Sequence, residues 1–301
     1  MKLFKKVLSL FLIVAMMVAI SSCRNDTTDE PGNDDQPQGD AYTDYTVTVL
    51  NPLGYPVSDV TVFVHEDGGE DYNVCTTPIQ TDKDGKAVFT LEAGKNYSVG
   101  FFNVPAVYSS KSGNTRAERY HLDTASTEIV LTANEGYQSS KYRLGDFVPN
   151  VRIEDIDGNG YDLYELLKTK KAVVLNFWFC SCGPCQSEFP ALNSAYNTHK
   201  DNLELFAIND VDSSASIKSY PASKGLTLDM PLVKGTSKTI LSPSAFNSNA
   251  YPTTVVIDRS GRVTFIHVNV VTDKAQWNKL FAYFTSEDYT STVVTDFNDI
   301  K

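Results

Sequence analysis

The stretch Cys182-Gly183-Pro184-Cys185 constrains this chain more than any other. It follows an apolar, β-branched run, Ala172-Val173-Val174-Leu175-Asn176-Phe177-Trp178-Phe179, and precedes a helix-compatible segment that reaches about residue 199. A buried strand that passes into a helix through Cys-x-x-Cys places the first sulfur at the helix N-terminus. There, free N–H groups and the positive end of the dipole favour a thiolate. The second sulfur falls one turn on, on the same face and within bonding reach. This is the arrangement that a dithiol redox centre requires. A disulfide over so short a loop is a poor structural staple, because the chain entropy it removes is small.

The start of the chain addresses the protein to the cell envelope. Lys2, Lys5 and Lys6 form a positive n-region, residues 7–20 are apolar apart from Ser9, and Ser21-Ser22 precede Cys23. The apolar core is short for a transmembrane helix, so residues 1–22 read as a cleaved signal. Ile20-Ser21-Ser22-Cys23 resembles the bacterial lipobox, which implies lipidation of Cys23 and an anchor that does not span the membrane. Residues 23–40 carry Asp26, Asp29, Glu30, Asp34, Asp35 and Asp40 and no apolar residue able to nucleate a core, the composition of a disordered tether. Acids close to the cysteine also resemble surface-export signals of some Gram-negative lipoproteins. The expected location is therefore the periplasmic face of the inner or outer membrane, or the cell surface.

A net charge of −11 argues against nucleic acid as a partner, and loss of the three leader lysines makes the mature chain more negative. Of five cysteines, Cys75, Cys180, Cys182 and Cys185 remain after Cys23, too few for a disulfide-stapled scaffold.

Residues 41–135 read as a small all-β domain. Period-two runs at 45–49, 60–64, 86–91, 97–101 and 127–131 are separated by turn signals at Asn51-Pro52-Leu53-Gly54, Asp82-Lys83-Asp84-Gly85 and Glu92-Ala93-Gly94-Lys95. The segments 54–62, 81–85 and 91–97 resemble carboxypeptidase-regulatory or Cna-B-like (prealbumin-like) sandwich modules, which implies a spacer or docking role. His65, Glu66 and Asp67, beside Gly68-Gly69, read as solvated loop surface rather than a metal site. Cys75 reads as a free or half-buried thiol.

Residues 136–143 read as a linker, and residues 144–301 as an α/β domain with a mixed sheet. Its expected order is a strand at 151–156, a helix at 163–168, a strand at 172–179 and a helix at 183–199. A strand at 203–208, a helix at 215–224, a hairpin of 253–258 with 263–268, and a helix at 273–284 follow. Residues 286–301 carry no assigned role.

Within this region Val174-Leu175-Asn176-Phe177-Trp178, Cys182-Gly183-Pro184-Cys185, Glu188-Phe189-Pro190 and Tyr251-Pro252-Thr253 together resemble the thioredoxin-like fold, and in particular extracytoplasmic TlpA/ResA-type proteins of the AhpC/TSA-redoxin superfamily. Leu144-Gly145-Asp146-Phe147-Val148-Pro149, with Asp157-Gly158, resembles the start of that family and of peroxiredoxins. The resemblance runs from about residue 144 to the C-terminus. It implies that Cys182 is the attacking nucleophile, that Cys185 resolves the mixed disulfide, and that Glu188 helps set the thiol pKa values and accepts a proton. Glu188 alternatively reads as a solvated surface acid. Pro252 is the candidate cis-proline, and Tyr251 before it offers backbone groups to an extended substrate. Trp178 completes the substrate-side set by packing near the disulfide. Pro184 suits the first turn of a helix, and Pro190 is expected to kink it. Two positions depart from the family pattern: Ser181 stands where Trp is common, and Cys180 adds a third thiol. Cys180 reads as a small buried hydrophobe, with an alternative disulfide or a soft metal such as copper as the other options.

The leading expectation is a membrane-anchored thiol–disulfide oxidoreductase that reduces disulfides of exported proteins and is recharged by an upstream thiol electron donor. No cofactor or metal is expected. A peroxidase is the second reading, weakened because Phe179-Cys180-Ser181 lacks the Thr-x-x-Cys pattern before Cys182. A non-catalytic peptide- or metal-binding lipoprotein is the third.

Overall fold

A computed structural model describes residues 42–67, 76–110, 119–123, 126–135, 137, 139, 141–237 and 239–300. The signal, Cys23, the tether and Cys75 lie outside the described residues. Among the described residues no helix is long and apolar enough to cross a membrane.

The first lobe contains strands β1 (Tyr42–Leu50), β2 (Thr61–Glu66), β3 (Ile79–Gln80), β4 (Lys86–Glu92), β5 (Tyr97–Phe102), β6 (Tyr108–Ser109), β7 (Tyr120–His121), β8 (Thr127–Val130) and β9 (Thr132–Ala133). They form sheets ordered β4-β1-β8 and β3-β2-β5-β7, whose buried side chains belong to one apolar cluster. Alternation dictates this: Tyr45, Val47 and Val49 of β1 and Ala87, Phe89 and Leu91 of β4 point inward, meeting Val62, Val64, Val99 and Phe101 from the other sheet. His65 and Glu66, expected in a loop, belong to β2, and His65 is buried against the Phe63 ring.

The second lobe adds β10 (Arg152–Glu154), β11 (Gly160–Asp162), α1 (Leu163–Thr169), β12 (Ala172–Phe177), α2 (Gly183–His199), β13 (Leu203–Asn209), α3 (Ser214–Ser223), β14 (Leu232–Lys234), β15 (Thr253–Asp258), β16 (Val263–Val268) and α4 (Lys274–Thr285). Its sheet runs β14-β13-β12-β15-β16, with β12–β13 and β13–β14 parallel and the β15 and β16 pairings antiparallel. This is a thioredoxin-like α/β arrangement. Every residue of β12 is buried, as a central strand covered on both faces must be. The expected strand at 151–156 is shorter and forms a separate ribbon with β11, and β14, three residues long after Pro231, went unread. The β12 strand ends at Phe177, two residues early, although the Trp178 N–H still bonds the Ile208 carbonyl at 3.0 Å.

Residues 286–300 brace the β15–β16 hairpin. The Tyr289 hydroxyl (2.9 Å) and the Ser291 hydroxyl donate to the buried Asp258 carboxylate, and the Val294 N–H bonds the Thr264 carbonyl at 2.9 Å. Phe297 packs on Trp277 and Phe265. The tail thereby occupies part of a strand that would otherwise be a bare sheet edge.

The two lobes share one continuous apolar core, from Val49 and Tyr108 through Phe147 and Tyr164 to Phe177. Asn51 clasps them together. Its side-chain oxygen accepts from the N–H groups of Leu53 (2.9 Å) and Tyr55 (3.0 Å), which shapes the turn. Its amide nitrogen crosses to the second lobe and donates to the Ser260 carbonyl at 2.7 Å, and it also donates to the Tyr108 hydroxyl at 3.2 Å. Gly261 has φ +80°, a left-handed backbone that favours glycine, and it faces Leu53, Tyr108 and Tyr164. Tyr142, within the expected linker, is buried against Phe246, and its N–H bonds the Ala245 carbonyl.

An Asn51→Ala variant loses four hydrogen bonds at a buried position and is expected to cost about 2–3 kcal/mol. Because the core is shared, urea unfolding followed by tryptophan fluorescence and by far-UV circular dichroism should shift as one transition. Separate transitions for the two probes in the wild-type chain would contradict a shared core.

Candidate active site

The site forms where β12 leaves the sheet. The chain turns at Phe179–Cys182, closed by the Cys182 N–H on the Phe179 carbonyl at 3.0 Å, and enters α2 with Cys182 as N-cap and Pro184 in the first turn. Proline costs little there, because a first-turn N–H has no partner within the helix. Cys182 and Cys185 form a disulfide with Cα atoms 5.3 Å apart. The Cys185 N–H donates to the Cys182 sulfur at 3.2 Å, so the cap is a sulfur that already collects a helix-end donor. Both cysteines are almost wholly buried, 3% and 1% exposed, while Ser181, Gly183 and Pro184 around them are exposed. A partner therefore meets Ser181, Gly183 and Pro184 at the surface before it reaches the sulfurs. Pro190 lies inside α2, which continues to His199.

Glu188 is fully buried one turn beyond Cys185, which removes the surface-acid alternative. Its Oε1 accepts from the Asn176 amide of β12 at 2.8 Å, and its Oε2 from the Val271 N–H at 2.9 Å. Asn176 also donates to the Thr254 hydroxyl at 3.0 Å. Burial pushes the Glu188 carboxyl up to about 7, against the opposing pull of those two donors. A carboxyl poised near neutrality gives and takes a proton at physiological pH.

Trp178 lies in the same buried cluster as the disulfide and meets Phe189 edge-on and Tyr220 at a tilt. It is fully buried beside the cysteines, as expected of a residue that packs near the disulfide. The Tyr251–Pro252 peptide is cis and directly precedes β15. The Tyr251 ring is half-buried against Phe179, and its hydroxyl donates to Asp210 at 2.8 Å. Cys180 is a half-buried free thiol beside Asp212. Sequence reasoning missed Asp210 and Asp212. Their only signal is position, in the loop after the strand that neighbours β12.

The AhpC/TSA family model matches residues 144–266. Thiol-disulfide oxidoreductase ResA of Bacillus subtilis is 31% identical over 130 residues, covering 43% of this chain and 69% of that protein. ResA of Halalkalibacterium halodurans is 28% identical over 133 residues, 44% of this chain and 72% of that one. Thioredoxin-like protein YneN of Bacillus subtilis is 31% identical over 140 residues, 45% and 78% respectively. Among solved structures, a thiol:disulfide interchange protein from Chlorobium tepidum has 24% sequence identity and a TM-score of 0.41, covering 47% of this chain and 97% of its own.

The Glu188 carboxyl sets a direction for stability against pH. Its folded value, about 7, lies above the ordinary carboxyl value of 4.5. The folded state therefore holds a proton that the unfolded state has released, and stability falls as pH rises from about 4.5 to about 7. The gap corresponds to roughly 3 kcal/mol. Glu188→Gln removes this component, so the drop in urea midpoint between pH 5 and pH 8 should shrink markedly in that variant. An equal drop in both proteins would refute the raised value.

Proposed function

The chain belongs to the ResA-type thiol–disulfide oxidoreductases of the AhpC/TSA family, and we propose that it works as a reductant of disulfides in exported proteins. The observation that carries this reading is a Cys-x-x-Cys disulfide at the N-terminus of α2, set over a buried carboxyl with a value near neutral.

In the reduced form Cys182 attacks. As N-cap it faces the first free N–H groups of α2, and the donor now aimed at its sulfur from Cys185 would be available to a thiolate. Attack on a substrate disulfide breaks that S–S bond, forms a Cys182–substrate mixed disulfide, and expels one substrate thiolate. Cys185 then gives up its proton and attacks Cys182, which releases the second substrate sulfur and restores the disulfide. Glu188 is the group assigned to take the Cys185 proton, since it shares that helical face and is poised to accept one. Tyr251, held by Asp210, and Pro252 are assigned to line the extended substrate segment beside the sulfurs.

Gly-Pro between the cysteines supports the reducing direction, because a His there would further stabilise the thiolate and raise the potential. The signal-like leader and Cys23 support a lipid-anchored place in the cell envelope, where an upstream thiol donor has to return the pair to its reduced form. The sandwich lobe is assigned a spacer or docking role.

Redox-buffer equilibration of the Cys182–Cys185 pair, followed by the fluorescence of Trp178, is expected to give a potential near or below about −250 mV; a value above about −180 mV would instead mark an oxidase or isomerase. Cys185→Ser is expected to accumulate a mixed disulfide with a disulfide-bonded substrate, and Cys182→Ser to abolish exchange. Glu188→Gln is expected to slow exchange without unfolding the domain, with the loss greatest near neutral pH. Unchanged rates across the pH range would remove Glu188 from the proton pathway.

A further inference from the structure

Strand β12 is apolar along its length except for Asn176, and the sheet register fixes the neighbours of that residue. Asn176 lies opposite Thr254 of β15, which in turn lies opposite His267 of β16. The Asn176 Nδ2 group donates to Glu188 Oε1 at 2.8 Å and to the Thr254 hydroxyl at 3.0 Å, which uses both of its N–H bonds. The Oδ1 atom of the same amide is buried and has no partner among the described residues. Among those residues the Thr254 hydroxyl has this one hydrogen bond, in which it accepts. Glu188 has two, the second from the Val271 N–H to Oε2 at 2.9 Å.

We propose that Asn176 is a positioning residue whose side-chain amide turns over when Glu188 takes up a proton, so that one residue serves both states of the acid. This rests on the reading of Glu188 as the acceptor of the Cys185 proton. In that step the Cys185 S–H bond breaks and its electron pair stays on sulfur as a thiolate. The proton forms an O–H bond on Glu188, which becomes neutral, and it then needs an acceptor. On the Oε2 side stands a backbone N–H, which can only donate. On the Oε1 side stands the Nδ2 group, which also only donates. A half-turn of the amide about its last side-chain bond exchanges Nδ2 and Oδ1 at almost the same positions, because the two ends have nearly the same shape. Oδ1 then accepts from the Glu188 O–H, and the Thr254 hydroxyl changes from acceptor to a second donor.

The unmet hydrogen-bonding groups set the direction of the turn. With the carboxylate, the present orientation leaves Oδ1 and the Thr254 proton unmet. A neutral Glu188 beside an unturned amide adds its own proton to those two and sets donor against donor. The turned amide satisfies all three together and leaves only its own N–H bonds without an acceptor. The groups round Glu188 add no competing charge. Burial, opposed by the Val271 N–H and the Asn176 amide, is what moves its carboxyl. Cys182 and Cys185 carry no charge while they are joined. From β16, His267 is held below its ordinary value by burial, against the pull of Asp296. From α4, Trp277 sends its indole N–H to the Val271 carbonyl and brings no titratable group.

Nuclear magnetic resonance on the oxidised full-length chain, labelled with carbon-13 and nitrogen-15 in Asn, Glu and Thr, reads both partners in one series of spectra. The Glu188 Cδ shift reports the proton. Nuclear Overhauser contacts from the Asn176 side-chain NH2 to the Thr254 methyl group report the amide. The contacts are expected at pH 9 and should be lost at pH 5, with a midpoint that coincides with that of Glu188 Cδ. A purely structural amide would keep them at both pH values. In Glu188→Gln the Val271 N–H holds the glutamine oxygen, so the glutamine NH2 faces Asn176 and calls for Oδ1 at every pH. The contacts should therefore be absent from that variant from pH 5 to pH 9, and their presence at either end overturns the proposal. Contacts that persist at pH 5 in the wild-type chain while Glu188 Cδ titrates overturn the turnover and leave the proton-accepting role of Glu188 standing. A Glu188 Cδ shift that stays constant from pH 5 to pH 9 overturns both.

Discussion

A carboxyl group with no access to water must either be given donors or keep its proton, and the centre of this protein is built round one that does some of both. Glu188 draws its donors from two distant parts of the chain: Asn176 in the central strand and the backbone of Val271 beyond the last strand. Val271 is in turn fixed from α4, whose Trp277 indole N–H donates to its carbonyl at 2.9 Å. Helix α2, strand β12 and the entry to α4 thus meet at one side chain. Two hydrogen bonds to an ionised group recover part of the cost of desolvation but not all of it, which is why the group titrates near neutrality instead of at the usual carboxylate value. The same compromise makes the residue useful beside a dithiol, since a fully satisfied carboxylate would never pick up a proton.

Much of this architecture was legible because the governing patterns are local. The α2 bounds follow from a capping cysteine, a first-turn proline and the apolar positions beyond them, and the β15–β16 hairpin follows from two β-branched runs round Arg259-Ser260-Gly261. A buried central strand reads as an unbroken apolar run, and β12 is one. Features that depend on partners far away in the chain were not legible. Three-residue β14 carries no period to detect and exists because β13 offers it an edge. The burial of Glu188 is decided by Val271, 83 positions later, and spacing along a helix cannot say which face will be covered. Asn51 reads as an ordinary turn residue, and only the fold puts Ser260 within reach of its amide.

The loop Asp210-Val211-Asp212 illustrates how the ends of parallel strands acquire work. It follows β13, the neighbour of β12, and so emerges beside the turn that carries the cysteines. One of its acids grips the tyrosine before the cis peptide and the other grips the turn before the disulfide. The two segments that flank the sulfurs are thereby referenced to the same short stretch of backbone. A positioning error in that loop would appear on both sides of the site at once.

The clasp at Asn51 has a mechanical meaning. Its amide grips the tip of the β15–β16 hairpin, and the opposite end of β15 begins at the cis Tyr251–Pro252 peptide, whose tyrosine packs on Phe179 of the turn before the cysteines. The hairpin therefore spans from its contact with the first lobe to the turn that carries the cysteines. A displacement of the first lobe at the hairpin tip would load the same strand that begins at the cis peptide.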